Sequence, residues 1–202
     1  MPRADRTPRQ RLDADARREG ILDAAREMYA VHPYSEVSTQ QIADAAGASA
    51  ALVFHYFGSK AGLYTAVVTD AIAGLSAAHR EADARLATHA PARDRVRTSI
   101  GIYLDHIASH PQTWAWPLRG GVEPVEAQQV RRRARAGYVQ ALSELLGYGD
   151  WARHHYARWG YFGFLDEACL AWVEKGCPSD DHEQLIEASL GALEGALGDW
   201  GS

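Results

Sequence analysis

The sequence predicts an all-α chain. Three observations carry that prediction. Apolar residues return every three or four positions through most of the 202 residues. No stretch alternates apolar and polar as a half-buried strand would. Glycine, proline and capping residues cut the chain into helix-length pieces. About nine helices follow, in two domains spanning residues 1–66 and 67–202, the first built from three helices and the second larger.

Residues 1 to about 11 read as a tail without structure. A first helix is expected over 13–31, with Ile21, Ala25 and Met28 as its apolar stripe and Arg17, Arg18, Glu19, Asp23 and Arg26 on its polar face. His32-Pro33 ends it, because the residue before proline avoids the helical region. Ser38 and Gln41 form a capping box for a second helix that turns Ile42, Ala43 and Ala46 to one side. Gly47 provides the left-handed residue that stops it. Ser49 caps a third helix over 51–57, with Val53 and Phe57 facing inward. Gly58-Ser59 breaks the chain, and Ser59 caps a fourth helix from Lys60 to about Leu86. Its buried stripe is Leu63, Tyr64, Val67, Val68, Ile72 and Leu75. This helix begins in one domain and ends in the other, which makes it the expected lever between them.

Beyond Ala90-Pro91 a helix is expected over 92–109, with Val96, Ile100, Tyr103, Leu104 and Ile107 on one face. His110-Pro111 interrupts it, and Trp114, Trp116 and Pro117 fall in a short helix or loop. Arg119-Gly120-Gly121 reads as a mobile link, and Pro124 opens a helix to about Leu146. Its basic run, Arg131, Arg132, Arg133 and Arg135, reads as a solvated face. Asp150 caps a long helix over 151–175, holding Trp159, Phe162, Leu165, Cys169, Leu170 and Val173. Gly176 stops it, and Ser179 caps a last helix over 180–197. There Ile186, Leu190, Leu193 and Leu197 repeat at four, three, four, the spacing of a helix–helix seam.

The segment 38–60 is a helix, a tight turn and a second helix, the arrangement that sets its second helix in the DNA major groove. The string QQIADAAGAS, the run FHYF and the following GSKAGL resemble the DNA-binding domain of the TetR (tetracycline-repressor) family of transcriptional regulators. The resemblance spans about residues 15–66; the rest is similar only in length and helical character. It implies that Thr39 holds a phosphate, that Gln40 reaches a base, and that Ser49 lies at the mouth of the recognition helix. Glutamine suits adenine, offering donor and acceptor side by side. Ala50 and Ala51 stand where many relatives carry longer base readers, so they offer methyl contacts alone. His55 and Tyr56 match positions that meet backbone or bases, and Lys60 matches a phosphate-binding lysine. Phe54 replaces the usual tyrosine. One recognition helix reads only a few base pairs, so a homodimer on near-palindromic double-stranded operator DNA is expected. The last two helices, through Ile186, Leu190, Leu193 and Leu197, are the expected dimer seam.

The net charge of −5 is unevenly spread. Residues 1–66 carry eight basic and eight acidic groups, and the remainder carries 13 against 18. Arg3, Arg6, Arg9, Arg11, Arg17 and Arg18 form a candidate basic arm for phosphates or the minor groove. A hydrophobic content of 47% fits a globular fold. No apolar run reads as a membrane span, no export signal is seen, and a cytoplasmic location is expected. Cys169 and Cys177 read as packing residues.

The second domain holds all six tryptophans. Tyr103, His106, Trp114, Trp116, Tyr138, Trp159, Phe162 and Asp166 are the candidate lining of a pocket for a small hydrophobic or aromatic effector, which the resemblance implies. His106 and His110 lie four apart beside Asp105, but a third metal ligand is missing, so neither metal nor cofactor is expected. With no nucleophile elbow and no phosphate-binding glycine loop, catalysis is not expected. The reading is a repressor released from its operator by ligand. A small helical enzyme and a dimeric scaffold without DNA binding are the competing classes.

Overall fold

The computed structural model describes residues 8–147, 149 and 151–198, with side chains from residue 14 onward. Among them the chain forms nine α-helices. These are α1 (Pro8–Val31), α2 (Thr39–Ala45), α3 (Ala50–Phe57), α4 (Lys60–Arg85), α5 (Ala92–Ser109), α6 (Pro111–Leu118), α7 (Val125–Leu146), α8 (Ala152–Glu174) and α9 (His182–Leu197). A 3₁₀ turn, Ser179–Asp181, precedes α9. The first helix starts at Pro8, earlier than expected. Arg3 and Arg6 of the basic arm, and Asp150, lie outside the described residues.

Two compact units share the chain. One comprises residues 1–70 with 121–130, and the other residues 71–120 with 131–202. The first boundary falls four residues beyond the expected one, inside α4. The short segment 121–130 joins the first unit, which no local feature of the chain foretells.

In the first unit α1 packs on α2 and α3 around Ile21, Leu22, Ala25, Tyr29, Ile42, Ala43, Val53 and Leu63, all buried. Leu22 and Tyr29 take the inward places, and Met28 is only half-buried. The rings of Tyr29 and Tyr34 each lie 4.9 Å from that of Tyr64, forming an aromatic cluster under α4. The Tyr64 hydroxyl donates to Glu123 Oε1 at 2.7 Å, which ties segment 121–130 to this unit.

In the second unit α9 packs on α5 and α8. Its core contains Ile100, Leu104, Ile107, Leu142, Tyr161, Leu165, Cys169, Trp172, Leu190 and Leu193. An ionic row joins α5 to α9: Arg93 reaches Glu194 at 2.9 Å and Glu187 at 3.0 Å, and Arg97 pairs with Glu183 and Glu187. Ser179 does not cap α9; it opens the 3₁₀ turn, and α9 has no side-chain cap.

Two expectations are corrected here. Ile186, Leu190, Leu193 and Leu197 are at most 5% exposed within a single chain. The four-three-four spacing marks a buried stripe, but α5 and α8 of the same chain already cover it. Helix α4, by length and composition, could cross a bilayer: 26 residues with an 18-residue window of mean hydropathy 1.3. Leu63, Tyr64, Val67, Val68 and Leu75 of this helix are buried against protein, and 28% of that window is buried in all.

Candidate functional site

The helix-turn-helix geometry follows from its caps. Ser38 Oγ accepts from Gln41 N at 3.2 Å, and Gln41 Oε1 accepts from Ser38 N at 2.8 Å, closing the box that starts α2. At its end Gly47 adopts φ +60°; Ala48 N donates to Ala43 O at 2.8 Å and Gly47 N to Asp44 O at 3.2 Å. This is the Schellman pairing, and it aims the chain into α3. Ser49 Oγ accepts from Leu52 N at 3.2 Å, so its hydroxyl is held at the start of α3.

With Val53 fully buried, the opposite side of α3 presents Ala51, Phe54 and His55 to solvent, and Ala50 and Tyr56 are half-buried at its margins. The His55 and Tyr56 rings lie 5.3 Å apart, edge to face. Thr39 is half-buried at the first turn of α2, and Gln40 is exposed beside it. Gln40 Nε2 donates to Asp44 Oδ1 at 2.6 Å, which orients the amide along the helix. Lys60 Nζ stands 4.2 Å from the centre of the Tyr34 ring, and partial burial holds its pKa below the ordinary lysine value. The Arg18 guanidinium lies 5.0 Å above the Phe57 ring, bringing the end of the basic run onto α3.

The approach of α4 to α3 depends on Gly62. A Cβ there would sit 2.1 Å from the Phe57 carbonyl oxygen, backbone against backbone.

In the second unit the expected pocket residues divide into groups. Trp114 Nε1 donates to Tyr103 Oη at 2.8 Å, and the Tyr103 hydroxyl donates to Asp166 Oδ1 at 3.2 Å. Arg135 pairs with Asp166 Oδ2, its guanidinium 5.0 Å from the Phe162 ring. Burial pushes the Asp166 carboxyl up, and Arg135 and Tyr103 oppose that shift. Burial also raises the Tyr103 phenol well above its usual range. Arg135 thus leaves the solvated face expected of its basic run. Asp166 on α8 needed a cation, and α7 delivers it.

Tyr138 and His106 belong to a second group. Tyr138 Oη lies 3.3 Å from Ser76 Oγ, and its ring meets His79 edge-on at 6.0 Å. His79 Nε2 donates to the Ser99 carbonyl at 3.1 Å. His106 lines a cleft of about 370 Å³ with Leu75, Ala78, Ile102 and Asp105. Burial lowers the pKa of both His79 and His106, and for His106 the charges of His110, His79 and Arg131 lower it further. The His106 and His110 rings are 6.0 Å apart, and no group of three metal-ligating side chains occurs among the described residues. Trp116 is half-buried on α6. Trp159 is 42% exposed on the outer face of α8.

Sequence reasoning passed over Arg158. It is only 4% exposed, and its Nε and Nη1 have no hydrogen-bond partner among the described residues. The signal was in the sequence: Arg158 sits four residues before Phe162 and seven before Leu165, on the stripe assigned to the core.

Comparison with known proteins matches residues 21–67 to the family described as "Bacterial regulatory proteins, tetR family". The chain is 30% identical over 144 residues to the HTH-type transcriptional regulator BetI of Agrobacterium fabrum, covering 68% of each protein. It is 28% identical over 192 residues to the HTH-type transcriptional activator FasR of Mycolicibacterium smegmatis, covering 93% of this chain and 85% of FasR. A tetR-family transcriptional regulator from Streptomyces coelicolor has a similar structure, with TM-score 0.74 and 26% identity, over 89% of this chain and 80% of that one.

Proposed function

The chain belongs to the tetR family of bacterial regulatory proteins and is a DNA-binding transcriptional regulator, and we propose that it acts as a homodimeric repressor released from a near-palindromic operator by a small ligand with an apolar body. The observation that carries the reading is the outward face of α2 and α3. There Thr39, Gln40, Ser49, Ala50, Ala51, His55 and Tyr56, with Lys60 at the start of α4, lie at the surface or its margin while Val53 and Ile42 anchor the helices behind them. In this reading Lys60 and Thr39 hold phosphates, Gln40 reads a base, and the two alanines offer methyl contacts to thymine.

A second copy is the partner that the outer face of α8 fits. Tyr156, Trp159 and Phe164 are 73%, 42% and 40% exposed there, and exposed Gly160 and Gly163 lie between them. On α9 the exposed residues Ala188, Gly191 and Gly195 are small enough for close helix approach. This face replaces the Ile186–Leu197 stripe as the proposed seam. Two copies supply two recognition helices, which a palindromic site requires. The proposed location is the cytoplasm, where the operator is. The ligand domain is the second unit, and α4 is common to both units. Ligand and operator affinities are then reciprocally coupled.

One observation favours activation instead: the relative matched over 93% of this chain is named an activator. Lys60→Ala and Gln40→Ala separate DNA binding from the sign of regulation. On a selected duplex, Lys60→Ala should weaken affinity for all sequences and reduce the salt slope by about one. Gln40→Ala should relax preference at one base pair per half-site, costing about 1–3 kcal/mol. Unchanged affinity in both variants overturns the docking. A promoter fusion that rises on deletion of the protein supports repression; one that falls supports activation.

A further inference from the structure

We propose that Arg158 is the anchor for the anionic head of the effector, so that the ligand is an amphiphile with a carboxylate or another single anionic group on an apolar body. The inference rests on the reading of the second unit as a ligand domain and names the chemical class of its ligand.

An arginine cannot shed its proton, and charged side chains are almost never fully buried unless paired. Arg158 is 4% exposed with Nε and Nη1 buried and unpartnered. Among the described residues no carboxylate pairs with it. Asp166, on the same helix, is eight residues on, about 12 Å along the axis. Both its oxygens are already occupied, Oδ1 by Tyr103 and Oδ2 by Arg135. A bound ligand would supply the missing anion.

Helical geometry limits the direction from which it comes. At about 100° per residue, Arg158 lies within about 40° of Phe162, Leu165 and Cys169 around α8. Leu165 and Cys169 are buried in the core, with Phe162 packed against it. The exposed residues Tyr156, Gly160 and Gly163 lie on the other side of the helix. A second copy seated on the outer face would not reach the guanidinium, which points to the interior of the unit. An anion bound there has an apolar environment on the Phe162–Leu165 side. The guanidinium fork suits a carboxylate, and a phosphate monoester or a phosphate of coenzyme A shares that chemistry.

The test uses the purified full chain and measures affinity for octanoate, dodecanoate, hexadecanoate and 2-naphthoate, each beside the alcohol of the same skeleton, with dodecanoyl-CoA and dodecyl phosphate as further arms. At least one anion should bind more tightly than its alcohol, on the order of tenfold or more, and the arm that binds best identifies the headgroup. Arg158→Met should abolish that preference, leave the alcohol's affinity within about twofold, and keep or raise the melting temperature, because a buried unpaired charge is removed. Arg158→Lys should retain part of the preference. The proposal is overturned if no acid outperforms its alcohol, if Arg158→Met weakens acid and alcohol alike, or if both variants keep the full preference. Operator affinity is measured separately. Anion binding through Arg158 that leaves operator affinity unchanged would preserve the site and refute its role as an effector site.

Discussion

Gly62 shows how one atom sets the recognition unit. A methyl group there would lie 2.1 Å from the Phe57 carbonyl oxygen, so α3 and α4 could not keep their approach. Gly62→Ala should cost about 1–3 kcal/mol in urea unfolding, the range of an overpacked contact, and lower DNA affinity with it. Gly47→Ala, at φ +60° with nothing within 4 Å of the added Cβ, should cost only about 1 kcal/mol, the left-handed backbone penalty. A larger loss at Gly47 than at Gly62 would contradict this origin of the turn. Asp166 makes a different case. It is raised by burial and held by Arg135 and Tyr103. Asp166→Ala leaves Arg135 without its carboxylate and should destabilise by more than the double variant Asp166→Ala with Arg135→Met does, read as a positive coupling in a mutant cycle. Additive losses would mean that the pair is a spectator.

The elements were legible in proportion to how local their signals are. The capping box at Ser38, the stop at Gly47 and the cap at Ser49 are decided within four residues, and α2 and α3 match the expectation to within one residue. The bounds of α5 coincide with those read from Ala90-Pro91 and His110-Pro111. What sequence could not decide was which neighbour covers an apolar stripe. Ile186, Leu190, Leu193 and Leu197 carry the period of a seam, and the same period serves a helix buried in its own chain. The exposure of Trp159 was hidden in the same way, because an aromatic at helical spacing does not say which side is inside. Arg135 and Arg158 were hidden because a charge reads as solvent-facing until its partner, or its lack of one, is located. For the dimer face, Gly163→Arg on the outer side of α8 should shift the chain to monomer in light scattering and weaken operator binding at least tenfold, with melting changed little. A variant that stays dimeric at micromolar concentration would move the seam elsewhere.

At the scale of the molecule, stability depends on pH through His79 and His106. Burial lowers both below the ordinary histidine value. The unfolded chain then binds more protons between that value, about 6.5, and the lower folded ones. Stability is therefore full above about pH 6.5 and falls as the pH drops through this window. Urea midpoints at pH 7.5 and 5.5 should show the loss, and His106→Gln should flatten it; a midpoint that rises on acidification would contradict the sign. The larger claim is that this acidic chain is a sequence-specific reader of duplex DNA. Its first unit offers a face with Lys60, Gln40 and His55, and the net charge of −5 argues against non-specific attraction. That claim is decided by selecting duplexes from a random pool on the full chain and repeating the affinities from low to high salt. An enriched near-palindrome is expected, bound by a dimer, with affinity falling steeply as salt rises. No enriched sequence, or a weak affinity indifferent to sequence, would contradict it.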